Sequence, residues 1–350
     1  MCIYILLIYL HQKLLFTVAS LLFEEKIMKA IRITKNGDAS VLELQDLPQP
    51  KPGPGEALVR LKAAGLNFID IYIRSGRYAR PLPHTPGLEG AGIVEAIGDG
   101  VTEVVVGDRV AYAGTMGSYA EFNLIKAANL IPLPNEITFE QGAAFPLQGM
   151  TAHYLLHEYY PIKKGDHVLV HAAAGGVGLL LVQWLKYWGA TIIGTVSTET
   201  KANIAREAGA THLIRYTEQD FVEQTKALTD GKGADYIIDG VGKSTFDHDL
   251  EAVRYRGTIC LFGSSSGPAN PLAPNSLQTK SITLCGGSLF NYLNTREELL
   301  KRANDVLQGL REGWLKLKID HVFPLEHAIQ AQQLLEGRQS TGKVILKIGD

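Results

Sequence analysis

The chain has 350 residues, 46% of them apolar and 20% charged, enough to bury a large core and to divide into two domains. Its 34 basic and 36 acidic residues leave a net charge of −2, with no basic run of six or more, which argues against nucleic acid as the main partner. Cys2, Cys260 and Cys285 lie far apart, so they make neither a disulfide framework nor a C-x-x-C metal knuckle, and this suits a reducing cytoplasm.

The first 27 residues, MCIYILLIYLHQKLLFTVASLLFEEKI, differ in character from the rest of the chain. His11, Gln12 and Lys13 split two apolar runs, so neither reaches the ~18 residues of a spanning helix. No positive charge precedes the first run, as a secretory signal requires. The segment (1–27) reads as an upstream mis-assigned start, a membrane-associating segment or a packed arm, and any membrane contact would run through it alone. From Met28 to about Gln148 short β-like runs (KAIRI, ALVRLKAAG, GAGIVEAIG, DRVAYA, YAEFNLI) are separated by Gly, Pro, Asn and Asp, which predicts a compact, mostly β domain.

After Gly149 strands alternate with helices. A helix over Thr151 to Tyr159 precedes strand HVLVH, a loop and a helix ending at Trp188. Strand TIIGTV, a helix from Thr200 to Ala208, and strands HLIRY, DYIIDGV and GTICLFG with helices between them come next. That order predicts an α/β fold with a doubly wound parallel sheet. A long amphipathic helix then opens at Thr295, with Glu298 completing a capping box. A second helix comes after Pro324, and the strand KVILKI closes the chain.

The loop after HVLVH reads AAAGGVG and feeds an apolar helix, the context of a dinucleotide fingerprint, here A-x-x-G-x-x-G with Ala172, Gly175 and Gly178. Gly175, Gly176 and Val177 would bring backbone N–H groups to a pyrophosphate at the helix start, and Gly178 would let helix and strand pack closely. The alternative is that these glycines only serve a βα turn. An NAD site wants a carboxylate at the end of the next strand. Here that strand ends Thr195-Val196-Ser197, and the nearby Ser197, Lys201 and Tyr216 form a phosphate-accepting set that favours NADPH; otherwise Lys201 is a solvated helix-start lysine.

The stretches AAGLNFIDIYIRSGRY (63–78), PGLEGAGIVEAIGDGV (86–101), GDRVAYA (107–113), EQGAAFPLQGMTAHYLL (140–156), HAAAGGVG, GTICLFGSSSG (257–267) and TGKVILKI (341–348) closely resemble the medium-chain dehydrogenase/reductase superfamily. Within it the chain is similar to NADPH:quinone oxidoreductases of the zeta-crystallin type, from Met28 onward. The resemblance implies a GroES-like domain (28–149 and 288–350) around a Rossmann domain (150–287), with NADPH in the cleft between them and a homodimer as the usual assembly. It also implies departures from zinc-dependent relatives. Those carry a ligand cysteine where this chain reads Leu66-Asn67-Phe68 and Gly-His-Glu where it reads Gly87-Leu88-Glu89, so no metal is expected and Glu89 becomes a buried structural carboxylate.

By the same resemblance, Asn67, Asp70 and Tyr72 belong beside the nicotinamide, with Tyr78 in the same cleft and Thr151 near the phosphate or nicotinamide ribose. Ser197, Lys201, Tyr216 and Arg338 would form the 2′-phosphate pocket. Val241, Phe262, Gly263 and Ser264 would cover the adenosine and nicotinamide side. Asn67, Tyr72 and Tyr78 are the candidates for orienting an acceptor or donating a hydrogen bond to developing negative charge. His153 and His157, one helical turn apart, could reach a metal, but no third ligand accompanies them. The expected activity is metal-free reduction of a quinone, which demands little of a dedicated acid. The alternatives are reduction of an activated C=C bond in an enone or enoyl thioester, where a proton donor matters more, and an NADPH-binding structural or RNA-associated role.

Overall fold

The computed structural model describes residues 26–349. The N-terminal extension up to residue 25, and with it the three readings of that segment, lies outside the described residues. Pairing begins at Ile27, one residue before Met28, in an antiparallel ribbon of Ile27–Arg32 with Glu43–Pro48.

The glycine- and proline-punctuated runs after this ribbon build a seven-stranded sheet. Its order is Ile319–Pro324, Lys343–Lys347, Glu56–Gly65, Glu89–Ile97, Arg109–Ala113 and Ile131–Pro132, with Phe122–Lys126 pairing on Glu56–Gly65. The C-terminal strand therefore returns to the N-terminal unit, its Ile345 opposite Gly65. Among the helical elements of this unit is the short helix Phe68–Arg74 inside NFIDIYIR. It starts where the Asp70 carboxylate accepts a hydrogen bond from the Asn67 backbone N–H at 2.9 Å.

The second sheet has six strands, all parallel, in the order His212–Arg215, Thr191–Val196, His167–Val170, Ala234–Asp239, Val253–Leu261 and Thr283–Cys285. In chain order this is 3-2-1-4-5-6, the doubly wound arrangement, whose ligand crevice opens where the order reverses beside the first strand. Alternate residues of these strands face opposite cores. Val168, Val170, Ile238 and Cys260 pack one way with the helices Gly176–Trp188 and Arg296–Glu312, and Leu169, Ile193, Ile237 and Ile259 pack the other way.

Two boundaries differ most from those expected of the sequence. The helix predicted from Thr151 runs Pro146–His157, because Pro146 occupies the first turn, where its missing N–H costs nothing. Most of that helix is buried, so no polar face marked its start. Arg296–Glu312 crosses it so closely that a Cβ on Gly149 would lie 2.8 Å from Val306. The strand containing GTICLFG begins earlier, at Val253, directly after the helix Phe246–Ala252. Thr295 caps Arg296–Glu312 with Glu298 in a reciprocal box, as expected. No helix among the described residues is long and apolar enough to cross a membrane.

Candidate cofactor and active-site cleft

A cleft of about 890 Å³ runs along the C-terminal ends of the parallel strands and is walled on its far side by the Phe68–Arg74 region. It is large enough for a dinucleotide and a small acceptor. Its floor is the glycine loop. Ala172, in the place of the first fingerprint glycine, has φ +51°, a left-handed conformation that glycine adopts without cost. Its carbonyl accepts the Gly175 N–H at 2.8 Å and closes the turn. A Cβ on Gly178 would stand 2.3 Å from the Ala172 carbonyl oxygen and 2.9 Å from Ala173 Cα, so Gly178 is the residue that lets helix and strand touch. Gly175 caps the helix without a side chain, which leaves its first N–H groups facing the cleft, and Gly175, Gly176, Val177 and Gly178 all line it.

Beneath the loop lies a polar pair that the sequence did not single out. His171 Nε2 meets Asp249 Oδ1 at 2.7 Å and its Nδ1 meets Thr195 Oγ1 at 3.0 Å, all three residues being buried. Burial raises the Asp249 carboxyl to about 7, against the pull of His171. His171 ends a strand and reads as an ordinary edge residue, and no sequence signal links it to Asp249 across 78 positions.

At the adenosine end, Ser197, Lys201, Tyr216 and Arg338 come together on one rim. Lys201 Nζ donates to the Arg338 carbonyl at 2.8 Å, and Arg338 Nη2 donates to the Ser265 carbonyl at 3.1 Å. Partial burial, and then the charge of Arg338, lower the Lys201 pKa. The carboxylate that could have served ribose hydroxyls, Glu199, instead pairs with Arg206 at 3.8 Å and Arg215 at 3.5 Å. Two cations therefore share one rim of the cleft, with the acid turned elsewhere.

Val241, Phe262 and Gly263 line the cleft, whereas Ser264 does not, its neighbour Ser265 taking that place. Ser264 grips the opposite wall instead. Its carbonyl accepts from Arg77 Nη1 at 3.2 Å, and its nearness partly offsets the rise that burial gives the Tyr72 hydroxyl pKa. Arg77 also stacks over the Tyr72 ring, 4.5 Å from its centroid. Tyr72 is buried, which raises its hydroxyl pKa, and meets Tyr78 edge-on at 5.4 Å. Tyr78 is 46% exposed, and its hydroxyl has no side-chain or backbone partner among the described residues. Thr151 and Phe290 complete this end.

Asp70, expected beside the nicotinamide, does not line the cleft. It lies wholly buried behind Asn67, where it accepts from the Asn67 N–H and, at 3.1 Å, from the Tyr119 hydroxyl. Burial raises its carboxyl to about 7. Asn67 does line the cleft, but its amide is already committed. Nδ2 donates to Glu89 Oε2 at 2.9 Å and to the Gly65 carbonyl at 3.3 Å, while Oδ1 accepts from Lys343 Nζ at 2.8 Å. With both amide hydrogens used, Asn67 has none to give an acceptor, which corrects the donor role expected of it.

Glu89 is the hub of this wall. It is fully buried, bonded to Lys343 Nζ, and its other oxygen accepts the Leu147 N–H at 2.7 Å. An amide, a leucine and a carboxylate already paired with a buried ammonium do not fit a zinc ion. Lys343 was missed because a single lysine inside TGKVILKI looks like an exposed strand residue, and its partners lie more than 250 positions away. His153 and His157 stack on each other at 3.9 Å. His153 spends its nitrogens on Asp305 at 2.8 Å and Arg302 at 3.0 Å. Among the described residues no group of three or more His, Cys, Asp or Glu could hold a metal ion.

Residues 53–135 match the family model of the alcohol dehydrogenase GroES-like domain, and residues 176–305 match that of the zinc-binding dehydrogenases. A quinone oxidoreductase of Pseudomonas aeruginosa is 42% identical over 321 residues, covering 91% of this chain and 99% of the relative. The crystal structure of Escherichia coli quinone oxidoreductase complexed with NADPH superposes with a TM-score of 0.89 at 40% identity, over 91% of this chain and 99% of that one. A 2-haloacrylate reductase from a Burkholderia species is 37% identical over 91% of this chain and 98% of its own length. The chain belongs to the quinone oxidoreductases of the medium-chain dehydrogenase/reductase superfamily, an assignment its fold, its glycine loop and these relatives all support.

Proposed function

We propose that the chain is an NADPH-dependent quinone reductase that works without a metal. The observation that carries this is the rim formed by Lys201 and Arg338, with Ser197 and Tyr216, beside a glycine-floored cleft from which Glu199 is turned away. The helix start at Gly176 would hold the pyrophosphate and the rim the 2′-phosphate. Thr151 would lie by the nicotinamide ribose, with Val241, Phe262 and Gly263 over the cofactor. When bound, NADPH supplies hydride or electrons to the acceptor. Tyr72, Tyr78 and Phe290 would seat a flat acceptor and exclude water, and Tyr78 would donate to the oxygen on which negative charge develops. Asn67 would shape the wall.

The reading extends to the assembly and its setting. We infer a homodimer in a reducing cytoplasm, with a small-molecule acceptor and no nucleic-acid partner. The division is a GroES-like part, 28–149 and 288–350, around a Rossmann part, 150–287. A second reading, reduction of an activated C=C bond, has one specific support: the unpartnered Tyr78 hydroxyl is a proton donor of the kind such a reaction needs, and a relative is named for a haloacrylate. Measuring NADPH loss with para-quinones, enones and 2-haloacrylate separates the two. Turnover of the alkenes with none of the quinones overturns the first reading.

A further inference from the structure

We propose that Lys343 is a positioning residue for hydride transfer, acting through the amide of Asn67 and the start of the helix Pro146–His157. The proposal rests on the NADPH reading above and deepens it. Lys343 is only 2% exposed, yet it lies on the C-terminal strand, far in sequence from the partners of its ammonium. Its ammonium bridges Asn67 Oδ1 and Glu89 Oε2. Glu89 in turn fixes Asn67 Nδ2 with one oxygen and the Leu147 N–H with the other. One cation thus holds both sides of the nicotinamide end: Asn67 ahead of the Phe68–Arg74 helix, and the helix that carries Gln148 and Thr151 into the cleft.

Space leaves the arrangement little freedom. A Cβ on Gly65 would lie 2.5 Å from Glu89 Oε2 and 2.7 Å from Lys343 Cε, so the strand backbone packs against the ion pair. Remove the ammonium and Asn67 Oδ1 keeps only a distant donor, Gln148 Nε2 at 3.5 Å. The unneutralised Glu89 then draws in water, and the amide, still held on its Nδ2 side by Glu89 and the Gly65 carbonyl, loses the one close donor on Oδ1 that fixes it from the other. A shift of about 1 Å in groups that position the reacting atoms costs on the order of a hundredfold in rate. A purely structural salt bridge would instead affect stability and leave the chemistry of the folded enzyme alone.

The test compares Lys343→Met with the charge-matched pair Glu89→Gln/Lys343→Met, reading melting temperature, NADPH affinity, kcat with a para-quinone, and the isotope effect with 4-deuterated NADPH. The single variant is expected to melt lower and to lose kcat at least tenfold. The double variant is expected to recover the melting temperature and to bind NADPH within about threefold of wild type, while kcat stays at least tenfold down and the isotope effect rises. A double variant that recovers kcat together with stability overturns the proposal, as does a single variant with wild-type kcat. A wild-type chain that prefers NADH would contradict the cofactor reading alone, since the isotope effect can be read with whichever nicotinamide the chain uses.

Discussion

Replacing Gly178 with alanine tests the loop where the structure allows least. The new methyl would sit 2.3 Å from the Ala172 carbonyl oxygen and 2.9–3.0 Å from the Ala173 backbone, all atoms with no rotamer to change. Reaching ordinary contact requires the helix Gly176–Trp188 to retreat from the strand by roughly 1 Å. Overpacking of this kind costs about 1–3 kcal/mol. The better helix propensity of alanine returns about 1 kcal/mol, so stability should fall by at most ~2 kcal/mol. The cofactor should suffer more, because the shift moves the N–H groups that meet the pyrophosphate. A displacement near 1 Å corresponds to roughly a hundredfold loss in a preorganised site. Gly176→Ala is the control, since the atoms nearest its methyl would be those of the Gln148 side chain, which can rotate away. Calorimetric titration with NADPH and thermal melts on both variants read the outcome. A Gly178→Ala protein that binds NADPH as wild type does would refute the close-approach argument.

The same geometry sets further outcomes. Lys201→Ala should weaken NADPH about tenfold or more, the worth of one charge-assisted hydrogen bond, and leave NADH nearly unchanged; equal losses in a binding titration would mean that the rim holds no phosphate. Tyr78→Phe should slow turnover of an enone or haloacrylate more than that of a quinone, and equal kcat losses would remove its role as proton donor. The Asp70 carboxyl, raised by burial from 3.8 to about 7, favours the neutral form in the folded state. Its ionisation therefore costs stability as pH rises from about 4 to 7, on the order of 4 kcal/mol at most, with no further change above. Asp70→Asn should gain on wild type in denaturant midpoint between pH 5 and pH 8; a constant gap would contradict the assignment.

The features legible in the sequence are those that depend on neighbours in the chain. TIIGTV forms the strand Thr191–Val196, and Thr295 with Glu298 caps its helix, because β-branched alternation and capping chemistry act over a few residues. The loop is readable for the same reason, although Ala172 adopts the left-handed conformation despite its side chain. The site is legible only where a motif signals it. Ser197, Lys201 and Tyr216 come after the loop at readable spacing, whereas the His171–Asp249 pair and the Lys343–Asn67 bond join residues 78 and 276 positions apart. Asp70 and Asn67 are expected in the segment that borders the cleft, but not with their polar groups already bonded. Their positions in the chain place them beside the cleft and cannot show that Glu89, Lys343 and Tyr119 have already taken their hydrogen bonds.

The most direct measurement of the central claim is the rate of NADPH oxidation with a para-quinone, before and after exhaustive chelation, set beside NADH and beside 2-haloacrylate as acceptor. Quinone-dependent loss of NADPH is expected at a rate that chelation leaves unchanged, with NADH at least tenfold less efficient. Activity abolished by the chelator, or turnover of the haloacrylate with none of the quinone, would contradict the claim.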